Sequence, residues 1–274
     1  MERPPAASPR PEPPHDTVEQ IDGRLDAGVL LICDHATNAI PACYGALGLP
    51  PSQLERHIAY DIGAAWITRR LAEFFEAPAI LSRFSRLLID PNRGADDPTL
   101  VMRISDGNLI PGNARIGQTE IERRRDLYWS PYRAAIGARI EAMLALGPAP
   151  VVLSIHTFTP FWRTKARPWE VGILWDSDPR LAPPLIAALA EDGLVVGDNE
   201  PYDGALEGDT FDEEVTRRGL AGVLIETRQD LVASEASAAA FADRLAKVLR
   251  PILGRPELHR IEYHKSRTGW APRF

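Results

Sequence analysis

His35 and His156 are the residues best suited to hold a metal, because each closely follows an apolar run, VLLIC for the first and VVLSI for the second. Catalytic zinc takes about three nitrogen or oxygen ligands and keeps one position open for water, whose pKa it lowers to roughly 7. The two imidazoles supply two ligands from separate strands. For the third, Asn38 lies three residues after His35 on the same turn, and Asp61 opens the following helix. Asp61 is preferred, because an anionic carboxylate binds zinc better than a neutral amide. A single histidine is more often an ordinary polar residue satisfied by backbone groups; two at strand ends shift the balance towards a metal. Glu226 follows the apolar run GVLI, so its carboxylate falls at the edge of a buried sheet, where desolvation raises its pKa and suits a general base. Arg228 shares its strand face and could pair with it instead. Arg93, after a Pro-Asn turn, could hold a substrate carboxylate in its planar fork, with Asn92 as a neutral donor. It could equally balance Asp90, Asp96 and Asp97, and Arg83 and Arg86 are just as ambiguous. His57 is close enough to Asp61 to support it, whereas His259 and His264, in the basic tail HRIEYHKSR, are given no site role.

These residues need a scaffold that brings strand ends together. The apolar runs at 29–33, 151–158, 171–176, 194–198 and 221–231 read as strands, and PAILSRFSRLLID as one or two more. Between them, helical spacing recurs from Asp61 to Phe75, from Gln118 to Leu146 with a break or kink at Pro131, from Pro179 to Glu191, and from Ser234 to Leu253. Strands alternating with helices predict an α/β fold, whose sites gather in the crevice at the carboxyl ends of strands.

The chain has 274 residues, 45% hydrophobic and 25% charged, as in a globular enzyme. No Pro/Gly/Ser-rich linker divides its middle, which predicts one domain over 21–274. Residues 1–20, with six prolines between Pro4 and Pro14, read as an extended arm, and structure is expected to begin near Val29. A net charge of −7, from 38 acidic and 31 basic residues, argues against nucleic acid. No run reaches the roughly 18 apolar residues of a membrane span, and the start carries no signal-peptide core, so a cytoplasmic location is expected. Cys33 and Cys43 are too few for a disulfide framework and are expected to be reduced. G-x-S-x-G, phosphate-loop and dinucleotide motifs are absent. The sequence is silent on oligomeric state.

Six ordered segments, CDHATNAIP (33–41), HIAYDIGA (57–64), SRLLIDPNRG (85–94), SDGNLIPGN (105–113), SIHTFTP (154–160) and VLIETRQDL (223–231), together resemble the N-formylglutamate amidohydrolase family. That resemblance implies a zinc-carboxypeptidase-like mixed sheet flanked by helices, one zinc per chain, and hydrolysis of a small carboxylate substrate. N-formyl-L-glutamate is the leading candidate, with another N-acyl amino acid or a peptide as the alternative. A metal-free carboxylate-binding protein is the remaining reading. By chain order, His35 opens the metal turn, Asn92 and Arg93 match the substrate clamp, His156 is the later ligand and Glu226 the base. Arg228 either joins the clamp or orients Glu226. Asn38 departs from the pattern, standing where related zinc enzymes carry a ligand glutamate, which keeps Asp61 in play and leaves Asn38 a substrate contact. Glu214 stands where members of the group carry a histidine.

Overall fold

In the computed structural model, which describes residues 16–270, seven strands form one mixed sheet. In chain order they are β1 (Val18–Ile21), β2 (Val29–Cys33), β3 (Ala79–Ser82), β4 (Val151–Phe158), β5 (Val171–Leu174), β6 (Val196–Asp198) and β7 (Gly222–Arg228). Across the sheet they lie in the order β1-β3-β2-β4-β7-β5-β6. β3, β2, β4 and β7 run parallel, β1 and β5 are antiparallel to β3 and β7, and β6 is parallel to β5.

Alternation along β2 shows how the sheet separates two cores: Val29, Leu31 and Cys33 enter one, Leu30 and Ile32 the other. The helices that carry the packing are α1 (Ala64–Phe75), α2 (Gln118–Arg124), α3 (Ser130–Leu144), α4 (Ala182–Glu191), α5 (Thr210–Glu214) and α6 (Glu235–Leu253), and a single further turn spans Pro51–Leu54. Leu71 of α1, Leu185 of α4 and Leu245 of α6 close the first core, and Ile136 and Ile140 of α3 the second. Both cysteines are free thiols. No helix among the described residues is long and apolar enough to cross a membrane.

Three details differ from the sequence reading. Order begins before Val29, because Val18–Ile21 pairs along the edge of β3, from Val18 opposite Ser82 to Ile21 opposite Ala79. Edge pairing draws on backbone hydrogen bonds, so a strand with only two apolar residues gives little periodic signal. The Pro-rich residues 1–15 lie outside the described residues. RLLID is not a strand: Leu87, Leu88 and Ile89 are buried in the second core within a turn, with the Leu88 amide donating to the Ser85 carbonyl. Its apolar run reports burial without a ladder. The break in the long helix falls just before Pro131 rather than at it, as a π-helical turn (Arg125–Trp129) that separates α2 from α3, with Pro131 the second residue of α3.

Gly63 ties the fold to the site. It caps α1 at φ 90°, and a Cβ there would lie 2.6 Å from the Val232 carbonyl oxygen. Gly63→Ala is therefore expected to destabilise the protein by about 1–3 kcal/mol or more. An unchanged urea midpoint would contradict this packing.

Candidate active site

The sheet register delivers the first pair of groups. β4 and β7 are parallel with Glu226 opposite His156, so the two side chains stand next to each other on one face, that of Val152 and Leu224. β2 ends beside them, and its turn carries Asp34 and His35. Ser82, at the end of β3, fixes that turn by donating to the Asp34 carbonyl (2.6 Å) and accepting from the Ala36 amide (3.3 Å). Asp61 is drawn in through the backbone, since its amide donates to the His35 carbonyl (3.0 Å).

His35, Asp61 and His156 are all buried, and their candidate ligand atoms lie within 4.8 Å of one another. Both Nδ1 atoms face the same oxygen, Asp61 Oδ2, at 3.3 Å from His35 and 3.0 Å from His156. Each far nitrogen meets another carboxylate. His35 Nε2 lies 2.7 Å from Asp90 Oδ1, and His156 Nε2 lies 3.3 Å from Asp34 Oδ2 and 3.0 Å from Ser154 Oγ. Those partners are themselves held: Arg86 donates to Asp90 Oδ2 (2.8 Å), and Thr210 Oγ1 donates to Asp34 Oδ1 (2.8 Å). Two imidazoles and one carboxylate, with carboxylates behind both rings, fit a divalent metal of the zinc type, because outer carboxylates fix ring orientation and raise ligand basicity. The group could therefore hold a metal ion.

The electrostatics of these groups have one pattern. Burial opposes ionisation of Asp61, yet His35 and His156 hold it well below the usual carboxylate range. Burial likewise opposes charge on His156, but Asp34 and Asp61 raise it well above the ordinary histidine value. For His35, burial and Arg86 oppose the charged form, while Asp90 and Asp61 raise its pKa overall. The carboxylates that favour the protonated rings would equally favour a cation among them, and metal binding would displace any such proton. Glu226 behaves in the opposite way: burial pushes it up to about 7, His156 opposes the rise and Asp61 adds to it. Its Oε2 is buried without a hydrogen-bond partner.

His35, Asp61, His156 and Glu226 open into a cavity of about 560 Å³, and Arg86, Asn92 and Arg93 also line it. Asn92 Oδ1 accepts from the Thr210 amide (3.2 Å). Two residues singled out from the sequence are not brought to this wall. Asn38 donates to the Leu54 carbonyl (2.9 Å) and to Glu55 (3.3 Å), because its turn leads away from the sheet towards residues 54–55. Arg228, one turn of the pleat beyond Glu226, pairs with Asp230 and donates to the carbonyls of Arg167, Pro168 and Trp169. Glu214 pairs with Arg218. His57 does line the cavity and faces Asp106 at 3.8 Å, whereas His259 bridges the carbonyls of Ala149 and Leu253.

Asp34, Asp90, Tyr202, Trp162 and Arg133 belong to the site or its support without being marked out by the sequence pattern. Asp34 and Asp90 stand inside motifs already of interest, but their pairing with histidines of other strands leaves no trace in spacing. Arg133 of α3 is 4% exposed and holds two loops together. It donates to the carbonyls of Pro91 (3.1 Å) and Arg93 (3.4 Å) on one loop, and of Gly208 (3.1 Å) and Asp209 (3.0 Å) on the other. Asp209 in turn caps α5 by accepting from the Asp212 amide (2.6 Å). Arg133→Met would strand these acceptors, and a stability loss of at least about 1.5–3 kcal/mol is expected in urea denaturation. Arg133→Lys should recover little, since one ammonium cannot span both loops.

A sequence model of the N-formylglutamate amidohydrolase (FGase) family matches residues 27–233. The gene product Atu2144 from Agrobacterium tumefaciens, known from its crystal structure, is 36% identical, with a TM-score of 0.82 over 86% of this chain and 94% of its own. The crystal structure of an N-formylglutamate amidohydrolase from Ralstonia eutropha JMP134 shares the fold, with a TM-score of 0.69 at 19% identity over 88% of this chain and 98% of its own. No curated protein matches the chain significantly.

Proposed function

The chain belongs to the N-formylglutamate amidohydrolase family, and from that premise we propose that it is a zinc-dependent hydrolase cleaving the amide bond of a small N-acyl amino acid. The family makes N-formyl-L-glutamate, giving formate and glutamate, the first substrate to test, with another N-acyl amino acid as the alternative. One observation carries the reading: a buried carboxylate with an unpartnered oxygen, Glu226, stands beside a buried His-Asp-His group at the same cavity. Zinc held by His35, Asp61 and His156 would supply an acidified water and a Lewis acid.

The chain's own residues divide the remaining work. Glu226 takes a proton from the attacking water and returns it to the amide nitrogen as the C–N bond breaks, so the amine leaves neutral. A base raised to about 7 by burial is matched to both transfers near neutral pH. Asp34 and Asp90 hold the imidazoles in place through their Nε2 atoms. Arg93 takes the substrate carboxylate in its fork, and Asn92 orients that loop through its bond to the Thr210 amide. Arg228 and Asn38 support the surrounding loops and do not touch substrate in this scheme. The substrate is a small molecule, and the compartment expected from the sequence is the cytoplasm.

Metal analysis of the purified protein, paired with amine release from N-formyl, N-acetyl and N-carbamoyl amino acids, tests this. About one zinc per chain and release abolished by a chelator and restored by zinc are expected. No bound metal and no turnover with added zinc would leave a carboxylate-binding protein instead.

A further inference from the structure

The cavity is larger and less cationic than a small dicarboxylate requires. Its volume of about 560 Å³ falls within the roughly 300–1,000 Å³ of pockets that enclose drug-sized ligands. Besides His35 and His156 of the metal group, three basic side chains line it, Arg86, Arg93 and His57. Arg86 is committed to Asp90 Oδ2 through two bonds (2.8 and 3.1 Å) and reaches Asp61 Oδ1 at 3.5 Å. His57 already faces Asp106. Arg93 alone of the three has no ion-pair partner among the described residues, so the cavity offers one cation for one carboxylate.

Elsewhere the wall is aromatic and apolar, and its carboxylates are already paired. Trp162 comes from a hairpin of Phe161–Trp162 and Lys165–Ala166, and Tyr202 from the segment after β6; both line the cavity and remain 53% and 44% exposed. Arg167 joins the two rings into one surface, its guanidinium carbon 5.6 Å from the Trp162 centroid and 5.1 Å from that of Tyr202. That guanidinium lies behind the rings and does not line the cavity, with its Nη1 donating to the carbonyl and hydroxyl of Thr159 (3.3 and 3.1 Å). Met102 and Leu206 extend the apolar lining, and the carboxylates of Asp106 and Asp203 also line it, each paired with an arginine outside the cavity, Arg56 and Arg267. A second substrate carboxylate would be desolvated on this wall without a free basic side chain of the lining to receive it. A planar apolar arm would instead cover exposed ring surface.

Building on the hydrolase reading above, we propose that the preferred ligand is an N-acyl amino acid with one carboxylate, held by Arg93, and an uncharged aromatic arm stacked on Trp162 and Tyr202. Trp162 and Tyr202 are then the specificity-determining residues. This separates the chain from a formylglutamate-specific enzyme by the residues of its outer wall, while its reacting groups stay the same.

Calorimetric titration of the zinc-loaded Glu226→Gln protein with N-formyl-L-phenylalanine and N-formyl-L-glutamate reads this preference without turnover. The phenylalanine compound is expected to bind at least about tenfold more tightly. Trp162→Ala in the same background should bring the ratio close to 1, and Trp162→Phe should retain most of it. Equal or tighter binding of the glutamate compound, or a ratio unmoved by Trp162→Ala, overturns the proposal. Failure of both compounds to bind overturns it as well. Turnover by the unsubstituted zinc protein is measured alongside. Binding with the expected preference but no hydrolysis of either compound would sink the hydrolase reading and leave the aromatic preference standing as ligand selection.

Discussion

Glu226→Gln is expected to lower kcat by about 10²- to 10⁴-fold, the usual contribution of a positioned general base. Glutamine keeps the volume and one carbonyl acceptor, so the strand pairing with β4 and the packing beside His156 should survive. What is lost is the capacity to take and return a proton. Because Glu226 lies beside the His-Asp-His group without being one of its three residues, zinc content should stay close to that of the unsubstituted protein. This pairing of readouts makes the test decisive: near-normal turnover with unchanged zinc would remove Glu226 from the mechanism. Loss of zinc together with turnover would instead make it part of the metal site. Glu226→Asp, which keeps the acid but draws it back by one methylene, should recover only part of the rate, since a base must reach its proton within hydrogen-bond distance.

How far the site could be read from the chain depends on where its information lies. Strands β2, β4 and β7 were legible because strands buried on both faces are continuous apolar runs, and a polar residue just after or near the end of such a run marks a strand's carboxyl edge. His35, His156 and Glu226 were found in that way, and the register of β4 and β7 then puts two of them side by side. β1 was not legible, because an edge strand needs few apolar residues, and RLLID misled because a buried turn and a buried strand have the same composition. The groups behind the histidines were hidden for a different reason. Asp34 reaches His156 across the sheet, Asp90 reaches His35 from 55 residues away, and Arg133 acts on backbone carbonyls, which carry no sequence identity. Tyr202 and Trp162 sit in short irregular segments whose position depends on the whole sheet.

Asp61→Asn and Asn38→Ala should separate cleanly, and together they decide the third metal position. Asp61 Oδ2 is the single atom faced by both Nδ1 atoms and by the Thr157 amide (3.3 Å). Asparagine is nearly isosteric but neutral, and one of its two terminal atoms is a donor, so it can offer a cation only an amide oxygen. Loss of an outer-shell partner already costs 10–100-fold in metal affinity, and loss of the anionic ligand itself should cost at least about 100-fold. Competition with a chromophoric chelator measures this without reference to turnover. Asn38 is differently placed: its amide is spent on the Leu54 carbonyl and Glu55. Its replacement by alanine should cost stability by about 0.5–1.5 kcal/mol, the worth of such hydrogen bonds, and leave zinc affinity unaltered. Were Asn38→Ala to release zinc while Asp61→Asn retained it, the His-Asp-His assignment would fall, and the turn after β2 would have to swing inward when the metal binds. The contrast works because the two side chains are held by separate parts of the fold, one by the histidines it faces and the other by the loop before α1.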